Sequence, residues 1–102
     1  MGRMDIHKII KALELWHRAG ELGYVSSYCG IGFAHDNGRG VEVDENKAEH
    51  YYVLSATKGD EVARANLGVY ERRAGNYDRA LKHYMIAVRG GHAPSLSQIK
   101  EL

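Results

Sequence analysis

The chain repeats one short pattern three times: a small residue, an aromatic four positions later, a second small residue three further on, and a closing glycine. The aromatic residues of the three copies are Trp16, Tyr52 and Tyr84, and the closing glycines are Gly23, Gly59 and Gly91. Successive glycines are 36 and 32 positions apart. Steps of three and four place residues on one face of an α-helix, and a glycine just beyond the last turn is typical of a helix C-terminus. The pattern therefore predicts helical repeats.

A second type of helix lies between these segments. Ala63, Leu67 and Gly68 recur at helical spacing, and 36 positions earlier the same places hold Ser27, Ile31 and Gly32. Glycine inside a helix costs about 1 kcal/mol relative to alanine. Its return at the same place in both copies therefore predicts the close approach of a neighbouring helix.

The segments between the helices contain terminating and capping residues. Asp44, Asp60 and Asn76 are predicted N-caps, and Pro94 suits the first turn of a last helix. Predicted helices span 5–22, 25–37, 45–58, 61–74 and 77–90, with a stub at 94–101. Because the connectors are short, neighbouring helices should be antiparallel. The predicted fold is all-α: a right-handed αα superhelix, or solenoid, of five helices plus the C-terminal stub.

We predict one domain over 1–102, divided into a half repeat (5–23), two repeats (24–59 and 60–91) and a partial repeat (92–102). The three aromatics at the shared repeat position, Trp16, Tyr52 and Tyr84, are predicted to be core. Tyr51 and Tyr77 are predicted to be partly exposed.

The residues of 38–48, GRGVEVDENKA, followed by Tyr51-Tyr52 and Gly59-Asp60, resemble a Sel1-like repeat, a relative of the tetratricopeptide repeat. The segment Ala63–Gly68 resembles the next part of that repeat, and the likeness extends over about residues 12–100. His35 and Glu71 stand where the family usually has tyrosine. The resemblance implies an αα superhelix that acts as a non-catalytic adaptor in protein complexes.

No pattern of residues indicates catalysis, a metal or a cofactor. The six histidines include no pair three or four apart and no HExxH motif. The single cysteine, Cys29, allows neither an intrachain disulfide nor a cysteine-based metal site. The glycines near residues 30 and 38 lack the rest of a phosphate-binding or dinucleotide motif. We therefore expect a protein that is not an enzyme and that needs no cofactor.

Charge and hydropathy argue against nucleic acid and membrane as partners. The net charge is +1, which argues against a nucleic-acid binder. No stretch approaches the ~20 apolar residues of a membrane helix, and no signal-peptide pattern is seen at the N-terminus. The lone cysteine fits a reducing compartment, so a cytoplasmic location is expected.

In solenoids of the resembled class, the first helix of each pair lines the concave face, and the repeat register then selects a partner-binding surface. Its predicted residues are Cys29, Phe33 and Asp36 in one copy, and Ala65, Val69, Arg72 and Arg73 in the next. Residues 1–60 carry a net charge of −2 and residues 61–102 one of +3, and Arg72-Arg73 is the only adjacent arginine pair. An acidic peptide or helix is one partner that this groove could hold. A solvated helix face is the alternative interpretation of the arginines.

The ends of the repeat suggest a different function. The first helix carries more apolar residues than one face can bury, among them Ile10, Leu15 and Trp16. The last helix is short. Exposed solenoid ends favour an assembly unit that self-associates, or a piece of a longer repeat array.

Overall fold

The computed structural model describes residues 6–102, which form six α-helices and no strand. The helices are α1 (Ile6–Glu21), α2 (Ser26–Asn37), α3 (Glu45–Thr57), α4 (Glu61–Arg73), α5 (Tyr77–Arg89) and α6 (Pro94–Lys100). Predicted helix bounds lie within one residue of the observed ones; the predicted start at residue 5 lies outside the described residues. The all-α repeat fold is confirmed.

Each helix packs against its neighbours in the chain, and α2 also contacts α4. We call α2, α4 and α6 the A helices and α1, α3 and α5 the B helices. The turns after three helices depend on Gly23, Gly59 and Gly91, whose φ angles of 101–102° lie in the left-handed region. Glycine alone adopts such angles without strain, so the closing glycines fix the reversal of the chain.

Two helix glycines make room for two tyrosine rings, as the recurrence of glycine predicted. A Cβ atom at Gly32 would lie 2.8 Å from the ring of Tyr52, and one at Gly68 would lie 2.6 Å from the ring of Tyr84. Both tyrosines are fully buried, at 1% and 0% exposure. Each B-helix tyrosine is thus packed directly on the backbone of the preceding A helix.

The rest of the core consists mainly of small side chains. Ala48, Ala63, Ala80 and Ala87 are each 0% exposed. Alanine keeps helix axes close, because no bulk separates the backbones. The two tyrosines are therefore the largest fully buried side chains between the helices.

Trp16 departs from the predicted core. It occupies the same repeat position as the tyrosines but is 40% exposed. Tyr52 and Tyr84 are each covered by a preceding A helix, whereas Trp16 lies in α1, which no described helix precedes. Its ring packs on Gly30 of the following helix instead.

The predicted caps are confirmed at two of three sites. Asp44 accepts a hydrogen bond from the Lys47 amide at 3.1 Å, and Asp60 accepts one from the Val62 amide at 3.1 Å. Asn76 occupies the N-cap of α5, but its side chain makes no capping bond. The prediction of a side-chain cap there is wrong.

We expect Gly32→Ala to lower the free energy of unfolding by about 1–3 kcal/mol, because the added methyl group enters the Tyr52 ring space. The matched control is Gly30→Ala in the same helix. Its Cβ would lie at an ordinary 3.4 Å from Trp16, so the better helix propensity of alanine should raise stability by up to about 1 kcal/mol. Urea titrations followed by circular dichroism would measure both, and equal effects would contradict the role assigned to Gly32.

Candidate functional site

The seven residues predicted to bind a partner divide into buried and accessible ones. Cys29 and Ala65 are 8% and 7% exposed, so they shape the surface from beneath and offer a partner little contact area. The accessible residues, which we call the A-helix face, are Phe33, Asp36, Val69, Arg72 and Arg73. Phe33 is 47% exposed and is the largest apolar side chain of this face.

Cys29 lies in the core cluster with Tyr52 and Leu67. The Asn66 amide of α4 donates to its Sγ atom at 3.6 Å, which joins the two A helices. Burial, aided by the Asp60 charge, raises the pKa of the thiol to about 11. Because the thiolate is the reactive form, Cys29 is protonated at neutral pH and acts here as a packing residue.

Asp36 connects the core to the surface. The Tyr52 hydroxyl donates to one of its carboxylate oxygens at 3.5 Å, and Arg73 lies 3.8 Å from the other. Burial, followed by the nearby Asp36 charge, raises the pKa of Tyr52 well above its usual value. Tyr52 therefore remains a hydrogen-bond donor, and it holds Asp36 where the carboxylate meets Arg73 of the next A helix.

Arg72 joins α4 to α6. Its guanidinium donates to Oε1 of Gln98 at 2.8 Å and lies 3.6 Å from the Glu101 carboxylate. The arginine is one-third exposed and Glu101 is two-thirds exposed. The sequence prediction missed Gln98 and Glu101, because the terminal stub matched the repeat only in part and nothing in its pattern indicated a contact with α4.

The A-helix face thus combines apolar side chains with two guanidinium groups. Phe33 and Val69 offer apolar contact, and Arg72 and Arg73 stand at one end with carboxylates near both. A planar guanidinium binds a carboxylate through two parallel hydrogen bonds. Chemically, the arrangement can hold a partner segment but supplies no activated nucleophile.

A cluster of aromatic rings was also missed, because its members come from three helices. Tyr51 lies edge-on to His17 (5.4 Å) and His50 (5.1 Å), and stacks with His35 (5.9 Å) and Tyr28 (6.4 Å). The spacing of histidines along the sequence indicates contacts within one helix and does not show contacts between helices. Among residues 6–102, no group of three or more His, Cys, Asp or Glu side chains is placed to hold a metal ion.

The surroundings of two histidines favour their neutral forms. Burial is the main cause that lowers the pKa of His35 and of His83 below the ordinary 6.5, and the Lys47 and Arg64 charges respectively lower them further. The Nδ1 atom of His83 is buried without a hydrogen-bond partner. Protonation would place an unpaired N–H group there, so the neutral ring is favoured.

We therefore expect thermal stability to fall as the pH is lowered from about 7.5 to about 5.5. The unfolded chain takes up these two protons at a higher pH than the folded one, so acid favours unfolding, and the effect vanishes above the unfolded pKa. His35→Asn/His83→Asn should flatten the dependence of Tm on pH, whereas the exposed-site control His50→Asn should keep it. Differential scanning calorimetry across this range measures all three, and an unchanged slope in the double variant would contradict the assignment.

The repeated helix geometry defines a class of protein. Antiparallel helix pairs that stack through recurring contacts, each closed by a left-handed glycine, form an αα repeat solenoid. The family model described as Sel1 repeat matches residues 5–24, 25–60 and 62–92. The chain therefore belongs to the Sel1 repeat family, whose repeats generally mediate protein–protein interaction and are generally non-catalytic.

Two relatives show how the chain compares with longer proteins. It is 32% identical over 68 residues to the sel1-like repeat-containing protein L21 of Acanthamoeba polyphaga mimivirus, a match that covers 67% of this chain and 13% of the relative. The crystal structure of a Sel1 repeat protein from Oxalobacter formigenes superposes with a TM-score of 0.82 at 33% identity, over 89% of this chain and 38% of that one. The chain thus spans well under half the length of both relatives.

No helix within residues 6–102 has both the length and the apolar character needed to cross a bilayer.

Proposed function

We propose that this protein is a non-catalytic interaction module that holds a peptide or helix of another protein on the A-helix face, which forms the concave side of the solenoid. The observation that carries the proposal is the environment of Arg72. Its guanidinium holds the amide oxygen of Gln98 in α6 and the exposed carboxylate of Glu101, the residue that follows α6. The carboxylate of a partner segment can take the place of Glu101.

The partner chemistry follows from the charges of the face. Arg73 is largely exposed and pairs with Asp36 at 3.8 Å, a distance typical of a weak surface pair. Two guanidinium groups therefore remain able to bind an acidic segment at little cost. Because the helices are preformed, the solenoid itself loses little conformational entropy on binding.

We expect Arg72→Glu/Arg73→Glu to weaken partner binding by more than about tenfold, because the carboxylates of the partner would then meet like charges. Lys82→Glu/Arg89→Glu on the exposed side of α5 is the matched control, since it makes the same change in net charge on a B helix. Affinity capture from lysate of the source cells, read by mass spectrometry, would identify partners, and titration with the purified partner would measure affinity.

Circular dichroism must show both variants to be folded. A partner that binds the parent and the control but not the Arg72/Arg73 variant supports the A-helix face. Equal binding by all three proteins, or loss with both variants, would show that the face is wrongly assigned.

Self-association through the solenoid ends is a second candidate function. The exposed side chains of Ile10, Leu15 and Trp16 on α1 favour it. At the other end, however, Lys100 stands in the register position of Gly32 and Gly68. A B helix of a second copy could not pack its aromatic ring there as Tyr52 does on α2.

Sedimentation equilibrium over a wide concentration range distinguishes the two functions. On the second proposal the mass should rise with concentration, and Leu15→Glu should abolish the rise. A strict monomer would exclude self-association and leave the interaction module.

A further inference from the structure

An apolar cleft of about 370 Å³ lies between α1 and α2. Its lining includes Ile9, Leu13, Trp16, Gly30, Phe33 and Arg39. Arg39, in the turn two residues after the end of α2, is the one charged residue among those that line it. An exposed apolar hollow with a single charge at its border has the character of a side-chain pocket.

The second repeat carries different side chains at the register positions of this cleft. A smaller cleft of about 180 Å³ lies between α3 and α4; it is bordered by Glu45 and Tyr70, the register counterparts of Ile9 and Ala34, and by Arg73 and Ala74. In the repeat register, Tyr70 stands where the first repeat has Ala34, and Asn66 stands where it has Gly30. The first repeat thus has a smaller side chain at both of these positions.

The chemistry of the two clefts differs as well. Glu45 and Glu49 of the second repeat correspond to Ile9 and Leu13 of the first. Glu45, Glu49 and two aspartates lie near the Tyr70 hydroxyl and, after burial, help to raise its pKa. On α1 these carboxylates are replaced by apolar side chains, and its first turn carries no acidic residue. The first-repeat cleft therefore suits an apolar ring and does not repel a neighbouring carboxylate.

We propose that the α1–α2 cleft binds an aromatic side chain of a partner peptide, and that Arg39 pairs with an acidic residue next to it. The partner ring takes the place that Tyr70 fills in the second repeat. Pairing between Arg39 and the acidic residue sets the direction of the peptide, since the rest of the lining is apolar.

This inference rests on the proposed function and extends it. Phe33 belongs both to the A-helix face and to the lining of the cleft, so one peptide can follow the face and anchor its ring beside α1. The peptide is then acidic and aromatic, rather than merely acidic.

The cleft contains its own reporter, because Trp16 is the only tryptophan of the chain. The probe is the blocked dipeptide N-acetyl-Phe-Asp-amide, titrated while Trp16 fluorescence and amide chemical shifts are recorded. We expect a saturable fluorescence change, with shifts at Gly30, Ala34 and Arg39. N-acetyl-Phe-Lys-amide should bind up to about fivefold more weakly, as expected for an exposed ion pair, and N-acetyl-Ala-Asp-amide should give no saturable response.

Two variants import the residues of the second repeat. Ala34→Tyr fills the cleft, and Leu13→Glu adds a carboxylate to it; each should abolish the response to the probe. Since Ala34 is only 3% exposed, the tyrosine variant can fail to fold, and the half-buried Leu13 then provides the test. Lys82→Glu/Arg89→Glu on α5 should bind the probe as the parent does.

Three results would overturn the proposal: no response of Trp16 to the probe, a response that survives in a folded Leu13→Glu variant, or equal binding of the Phe-Asp and Phe-Lys probes. Dimerisation that buries Trp16 without the probe would show that a second copy occupies the cleft, and would also overturn it. The dipeptide is too short to reach Arg72 and Arg73, so it does not test the proposed function. If a partner binds only when Arg72 and Arg73 are present but the probe gives no response, the α1–α2 cleft is not a binding site. The proposed function would then still stand.

Discussion

The fold depends on one contact that is made twice: a buried tyrosine ring of a B helix lies on a glycine of the preceding A helix. Tyr52 on Gly32 and Tyr84 on Gly68 set the distance between successive layers. The rest of the core is largely alanine, with Ile31 and Leu67 as the other large buried side chains, so the two tyrosines are the largest groups between the helices. A tyrosine without its glycine would force the backbones apart, and a glycine without its tyrosine would leave a cavity.

The same contact positions the candidate site. Tyr52 is buried up to its hydroxyl, and that hydroxyl reaches Asp36 on the surface. Asp36 then meets Arg73 of the next A helix. The orientation of the charged side chains on the A-helix face thus follows from core packing, and a partner meets a surface that is largely organised in advance.

The helices and their order could be predicted from the sequence, since glycines, caps and three-and-four spacing are local signals. Asp44 and Asp60 illustrate this, because capping involves residues two or three positions apart. Trp16 shows the limit of the method. Its repeat position is evident from the sequence. Its burial, however, depends on a helix on the other side of α1, and the repeat position alone does not guarantee such a helix.

The candidate site was predicted in part, for a related reason. The register placed Phe33, Val69 and the arginines on one face, but it could not show that Cys29 and Ala65 lie beneath that face. Burial depends on which neighbouring side chains are large, and in this chain Tyr52 and Leu67 enclose the thiol. The contacts of Arg72 with Gln98 and Glu101 could not be predicted either, because they depend on how the C-terminal segment packs against α4.

Differences between the repeats say more about function than the shared residues do. The shared glycines, tyrosines and alanines are needed to stack any two repeats, so they carry no information about a partner. Ala34 and Tyr70 occupy the same register position and border clefts of about 370 and 180 Å³ respectively. Since both residues are compatible with the stacking contact, the fold does not require a small side chain at residue 34. An apolar cleft that packing does not require, next to a face that carries two arginines, is therefore better explained by a partner than by the stacking of repeats.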